Sequence, residues 1–127
     1  MAATKKGEVI ALEALFGVTR YLGAFTTATT DLGGGTEVSG NGYSRPTCPA
    51  MTVTESTVEE DPSEAVNGAD IFFPEATASW GEIGWVGVFT AAEGGDMIAH
   101  AVLDDPKTIG EGDVLRFLAG QLKFTAD

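Results

Sequence analysis

The sequence predicts a mainly β protein: an antiparallel β-sandwich or jelly-roll-like barrel with one short N-terminal α-helix. Three observations lead there. Seven or eight short β-rich segments follow a single helical pattern, with turn signals roughly every 8–12 residues. Glycine supplies 17 of the 127 residues, which fits frequent tight turns. The stretch from Trp80 to Phe117 runs as two apolar strands around a Glu93-Gly94-Gly95-Asp96 turn, then a connection into a further strand.

Taken in order, residues 8–16 carry the helix. Val9, Leu12, Leu15 and Phe16 recur at three- and four-residue spacing, Glu8 suits the positive end of the helix dipole, and Gly17 is a terminator. So short a helix is stable only when its apolar stripe docks on the β core or on a neighbouring subunit. From Val18 to Thr26 the period changes to two, with Tyr21 and Phe25 on one side and Leu22 and Ala24 on the other, the pattern of a strand inside a sheet. Residues 27–42 form a loop ending in the tight-turn pair Asn41-Gly42. Tyr43 to Val53 returns as an edge or irregular segment, because Pro46 and Pro49 cannot donate to a ladder.

Residues 54–68 are polar and acidic and predict a surface loop, with a helical turn after Asp61-Pro62. Ala69 to Phe73 is a short strand stopped by Pro74. In Trp80 to Thr90, Ile83, Trp85, Gly87 and Phe89 face one way and Val86 and Val88 the other. Met97 to Leu103 pairs with it across the turn, and Asp104-Asp105 form a turn before Pro106. Val114 to Leu118 and Leu122 to Thr125 close the fold around Ala119-Gly120. The organisation expected is an arm with its short helix over residues 1–17 and a single β-sandwich domain over residues 18–127.

The charge balance narrows the partners. Seven basic residues face nineteen acidic ones, a net charge of −12. Lys5 and Lys6 form the only basic pair, so nucleic acid and anionic membrane are poor partners. A basic protein surface is a better one, and simple solubility accounts for the same charge. No secretory signal is visible and no apolar run reaches the ~18–20 residues of a membrane span, so a soluble chain made in a cytoplasm is expected.

Candidate chemistry is sparse. The run Gly33-Gly34-Gly35 continues into Thr36-Glu37, not into the Gly-Lys-Ser/Thr of a phosphate loop. Cys48 has no partner cysteine and reads as a small buried hydrophobe. His100, the single histidine, has no nucleophile or metal-ligand motif beside it. Glu59-Glu60-Asp61 and Asp104-Asp105 lack the alternating spacing of a calcium loop. No catalytic residue, cofactor or metal is therefore expected. Trp85 is assigned to the core, while Trp80, at a strand entrance, is placed at a subunit contact.

Several segments carry a resemblance: residues 35–45 (GTEVSGNGYSR), residues 71–81 (IFFPEATASWG), residues 106–117 (PKTIGEGDVLRF), the helix, and residues 21–26 (YLGAFT). In this order, over nearly the whole chain, they resemble a family of small tailed-bacteriophage structural proteins often labelled tail fiber protein. The loop at 54–68 departs in length and acidity. The resemblance implies a virion component without enzymatic activity, made in the cytoplasm of a host bacterium.

A 13.1 kDa domain spans only a few tens of ångströms, so it cannot itself be an extended fibre. Decoration proteins of tailed phages are commonly small, β-rich and trimeric. The expectation is therefore a capsid decoration (cement) protein, a homotrimer bound to the major capsid protein or other virion proteins. Alternatives are a tail fiber or tail-associated component and, in another class, a carbohydrate-binding receptor module that needs Trp80 and Tyr43 exposed side by side. Lys5, Lys6, Val9, Leu12, Tyr43, Arg45 and Trp80 are the candidate protein-contact residues.

Overall fold

A computed structural model describes residues 3–126. Its elements are α1 (Lys5–Phe16), β1 (Arg20–Phe25), β2 (Thr47–Cys48), β3 (Thr52–Thr54), β4 (Ser63–Val66), β5 (Ile71–Phe72), β6 (Gly81–Phe89), β7 (Met97–Ile109), β8 (Arg116–Phe117) and β9 (Lys123–Ala126). The strands form a four-stranded sheet in the order β2-β1-β6-β7, a three-stranded sheet β3-β4-β9 and a two-stranded sheet β5-β8. The β1–β6, β6–β7, β3–β4 and β4–β9 ladders are antiparallel. The protein is mainly β with one short N-terminal helix, the class the sequence predicts.

The chain groups into two compact units. One holds the residues up to Thr19, Cys48–Asp70 and the residues from Phe117 on; the other holds Arg20–Thr47 and Ile71–Arg116.

In the first unit α1 starts three residues earlier than its apolar pattern predicts. Thr4 caps it, its hydroxyl accepting the Gly7 N–H at 3.1 Å. Gly17 ends it by donating to the Glu13 carbonyl at 2.8 Å. A Cβ at Gly17 would lie 2.6 Å from that oxygen, so only glycine fits. Glu8, Leu12 and Phe16, four residues apart, form the buried line of the helix, and Val9 is half-buried beside them. Phe16 stacks on Phe124 with ring centroids 4.7 Å apart, and its carbonyl accepts the Met51 N–H.

The acidic stretch 54–68 is not loop throughout. It contains β4, the central strand of its sheet, paired with β3 from Thr52↔Val66 and with β9 from Ser63↔Ala126. The helical turn expected after Pro62 is absent because the strand begins there. Ser63 and Ala65 face inward and are fully buried. Small side chains, one of them polar, gave no hydrophobic alternation to detect.

In the second unit β1 is an interior strand, as its two apolar faces predict, with Leu22 and Ala24 fully buried. β2 is a two-residue edge hemmed in by Pro46 and Pro49. Asn41 and Gly42 both take positive φ, closing the predicted turn with a Tyr43 N–H to Gly40 carbonyl bond of 3.0 Å.

Two expectations for β6 and β7 are corrected. The ladder pairs Ile83 with Lys107 and Trp85 with Val102, so the register shifts there, residues 103–106 of β7 standing opposite Gly84. Trp85 is half-buried, whereas Trp80 is 6% exposed and belongs to the core. Asp104-Asp105-Pro106 form no turn between strands: β7 runs through them to Ile109, and they belong to the bulged side. Proline is tolerated there because β7 is an edge strand of its sheet.

Candidate interaction surface

The loop that holds Tyr43 and Arg45 is organised by Glu37. The Arg45 guanidinium grips that carboxylate through Nε and Nη2, both at 2.8 Å. Its Nη1 donates to the Ala91 and Gly94 carbonyls at 2.9 and 2.8 Å, and its carbon lies 3.5 Å over the centre of the Phe89 ring. Tyr43 donates its hydroxyl proton to Glu37 at 2.5 Å and accepts the Ala24 N–H at 3.0 Å. Burial, and then the hydrogen bond to Glu37, push the Tyr43 phenol above its ordinary range. The hydrogen bonds to Glu37 raise Arg45 further, keeping it charged. Glu37 was not singled out as a site residue from the sequence; its only signal was an isolated carboxylate eight positions before an arginine.

Arg45 therefore ties the 37–45 loop to the β6–β7 connection, and Tyr43 ties it to β1. An open groove is lined by Tyr43 and Arg45 together with Ser39, Ser44, Ala92 and Glu93 among others.

The two lysines of α1 are turned toward the acidic loop of their own unit. Lys5 donates to the Asp61 carbonyl and lies 3.5 Å from Glu8, and Lys6 meets Glu55 at 2.9 Å. Leu12 is buried in the docked face of α1. Glu8, read from the sequence only as a dipole partner, is 3% exposed and accepts the Ser63 N–H at 3.0 Å and its hydroxyl at 2.8 Å. The Ser63 backbone bond is the main reason its carboxyl sits below the ordinary value.

Trp80 and Tyr43 do lie together, edge to face at 5.3 Å, with Phe73 completing the cluster. Trp80 Nε1 donates to the Asn41 carbonyl at 2.9 Å. A sugar-stacking platform needs exposed ring faces, and Trp80 offers none in this arrangement. Nor is it a surface contact residue of the isolated chain, contrary to the expectation for it.

His100 sits between Thr29 and Asp31, with Nδ1 2.7 Å from the Thr29 hydroxyl and Nε2 2.8 Å from the Asp31 carboxylate. The residue types match a hydroxyl–imidazole–carboxylate relay, but the accessibility is inverted. Thr29 is 8% exposed while the Asp31 side chain is fully in solvent. A nucleophile must meet substrate and its orienting acid must be sheltered. The trio acts as a latch that fastens the glycine-rich loop to β7. Burial raises the Cys48 thiol to about 11, which removes it as a nucleophile at neutral pH. Among the described residues no cluster of three or more His, Cys, Asp or Glu is placed to hold a metal, and no helix is long and apolar enough to cross a membrane.

Among the described residues, the large apolar side chains more than half exposed are Ile10 on α1, Leu32 at the tip of the latched loop, Phe72 on β5 and Val102 on β7.

A family model described as Podophage GP4 fiber I protein gp80 matches residues 16–125. The matched span begins at the last residue of α1 and takes in all nine strands but the final residue of β9. No curated protein matches the chain.

Proposed function

The chain belongs to the podophage GP4 fiber I protein gp80 family, a family of phage fiber structural proteins, and from that premise we propose that it is a non-enzymatic subunit of the virion's fiber apparatus, working through protein–protein contacts. The single observation that carries this reading is the match over residues 16–125, which spans both compact units. The side chains with chemical potential support it, because each is engaged in holding the fold. Arg45 and Tyr43 fasten loops, Glu8 fastens the helix, and His100 latches the glycine-rich loop.

The contacts are proposed to come from the exposed apolar side chains and the loops, with many repeated weak contacts adding up by avidity. The lysines of α1 are already paired within their own unit, which makes them weak candidates for gripping a partner. Size and β content suit capsid decoration as well, but the family description names a fiber, so the fiber is the position proposed.

Gold-labelled antibody against the chain, applied to intact virions, tests the position. Label on the fibers with a small copy number per particle is the expected result. Label spread over the capsid faces at hundreds of copies would overturn it in favour of decoration.

A further inference from the structure

We propose that residues 106–116 form a binding site for a small sugar acid, a monosaccharide that carries one carboxylate. This stretch runs from the end of β7 through a turn into β8 and folds round a cleft of about 360 Å³. Pro106, Lys107, Thr108, Asp113, Val114 and Arg116 line it, and all of them belong to the second unit. The volume lies in the range of small-molecule sites and admits a single sugar ring. The frame is fixed before any ligand arrives. Ile109 and Leu115, on either side of the turn, are buried, and their carbonyls accept the Trp80 and Phe73 N–H groups at 2.9 Å each. Within the turn Asp113 N–H donates to the Gly110 carbonyl at 3.0 Å, and Gly110 N–H donates to Asp113 Oδ2 at 2.8 Å. The Gly112 N–H and the Asp113 carbonyl are both bonded to the Ala76 backbone. A site on so constrained a backbone loses little freedom when it binds.

Arg116 sets the charge of the ligand. The chain has seven basic residues. Lys5, Lys6, Arg45, Lys107 and Lys123 each meet a carboxylate within 3.5 Å, and Arg20 is engaged as well. Arg116 is exposed, and among the described residues its guanidinium has no ion pair or hydrogen bond. In a chain of net charge −12, a cation left without a carboxylate on the lining of a cleft is the exception. Its planar fork takes a carboxylate through two parallel bonds. Lys107, held by Asp105 at 2.8 Å, contributes its apolar stem. Asp113 stands in the same lining and the whole chain is acidic, so one negative charge fits and a polyanion is repelled.

The rest of the lining matches a sugar as the carrier of that carboxylate. The Thr108 hydroxyl and Asp113 Oδ1, the oxygen that the Gly110 bond leaves over, offer a donor and an acceptor to ring hydroxyls. Val114, 43% exposed, and Pro106 offer an apolar face to the C–H side of the ring. An acidic side chain of another protein brings no hydroxyls to match the polar pair. The site is independent of the fiber assignment: virion labelling tests that position, and ligand titration tests the cleft.

Amide NMR on the isotope-labelled full chain, titrated with glucuronate, tests it, with glucose as the neutral control and tri-glutamate as the rival carboxylate. Glucuronate is expected to shift the amides of residues 110–116 saturably, with a dissociation constant of about 1–10 mM, and to leave those of α1 in place. Arg116→Gln, at an exposed position, is expected to raise that constant about tenfold or more, and Thr108→Val to raise it by a smaller factor. The shift map of the unmodified chain decides the matter if a variant fails to fold. No saturable shift over 106–116, an equal response to glucose, tighter binding of tri-glutamate than of glucuronate, or a folded Arg116→Gln variant that binds glucuronate as before would each overturn the site.

Discussion

The Arg45 guanidinium meets three chemistries at once: the Glu37 carboxylate, the Ala91 and Gly94 carbonyls, and the face of Phe89. A lysine keeps the charge but loses the planar fork and the stacking. Arg45→Lys is therefore expected to destabilise the second unit by about 1–3 kcal/mol, seen as a lower urea midpoint with an unchanged slope. An unchanged midpoint would mean that the carbonyl and ring contacts contribute nothing. Glu8 gives the residue-scale pH dependence. Its folded-state value lies below the ordinary 4.5, chiefly through the Ser63 N–H bond, so folding favours the charged form. The sign follows: its contribution is whole above pH 4.5 and is lost as pH falls below that, through the lower folded value. Hydrogen exchange at the Ser63 amide, followed from neutral pH downward, is expected to accelerate in that acid window. Glu8→Gln is expected to show fast exchange already at neutral pH and no acid step of this origin.

At the scale of elements, α1 shows why a twelve-residue helix exists at all. Alone it is too short to be stable, and Leu12 and Phe16 supply the docking that its propensity does not. Leu12→Ala is expected to cost about 2–5 kcal/mol, and to raise amide exchange along α1 more than along β6. Equal acceleration in both would mean that the two units unfold as one. The helix was legible because apolar residues at helical spacing stand next to a terminating glycine; its true start was hidden in Thr4, a cap that adds no hydrophobicity. β1 and the β6–β7 hairpin were legible for the same kind of reason, as apolar runs around a Gly-Gly turn. β4 was not, since a central strand built from Ser63, Glu64, Ala65 and Val66 owes its burial to partners far away in sequence, including the Glu8 carboxylate. The run of β7 through Pro106 was missed at the register shift between Ile83 and Trp85, because a period-two pattern has no term for four residues of one strand opposite one of the other; Trp80 was missed because its burial comes from Tyr43, Phe73 and the Asn41 carbonyl, all distant in sequence. The Arg45–Glu37 grip was missed for a related reason: loop residues lack a period, so nothing local says that two opposite charges eight apart will meet.

At the scale of the whole molecule, the charge of −12 sets how the chain meets other proteins. Like-charged molecules repel over the distances that salt screens, with a Debye length of about 10 Å at 0.1 M and about 3 Å at 1 M. A basic surface on a different virion protein gains from the same charge, because complementary charges steer and hold a contact. Screening weakens an attraction between unlike charges, whereas a contact made through apolar side chains is little affected by it. Binding of the chain to such a surface is therefore expected to weaken as sodium chloride rises from about 0.05 to about 0.5 M, by several-fold in the dissociation constant. Co-sedimentation of the chain with purified virions across that range checks it: retention that is unchanged or tightens with salt would mean that the apolar side chains, not the carboxylates, hold the contact.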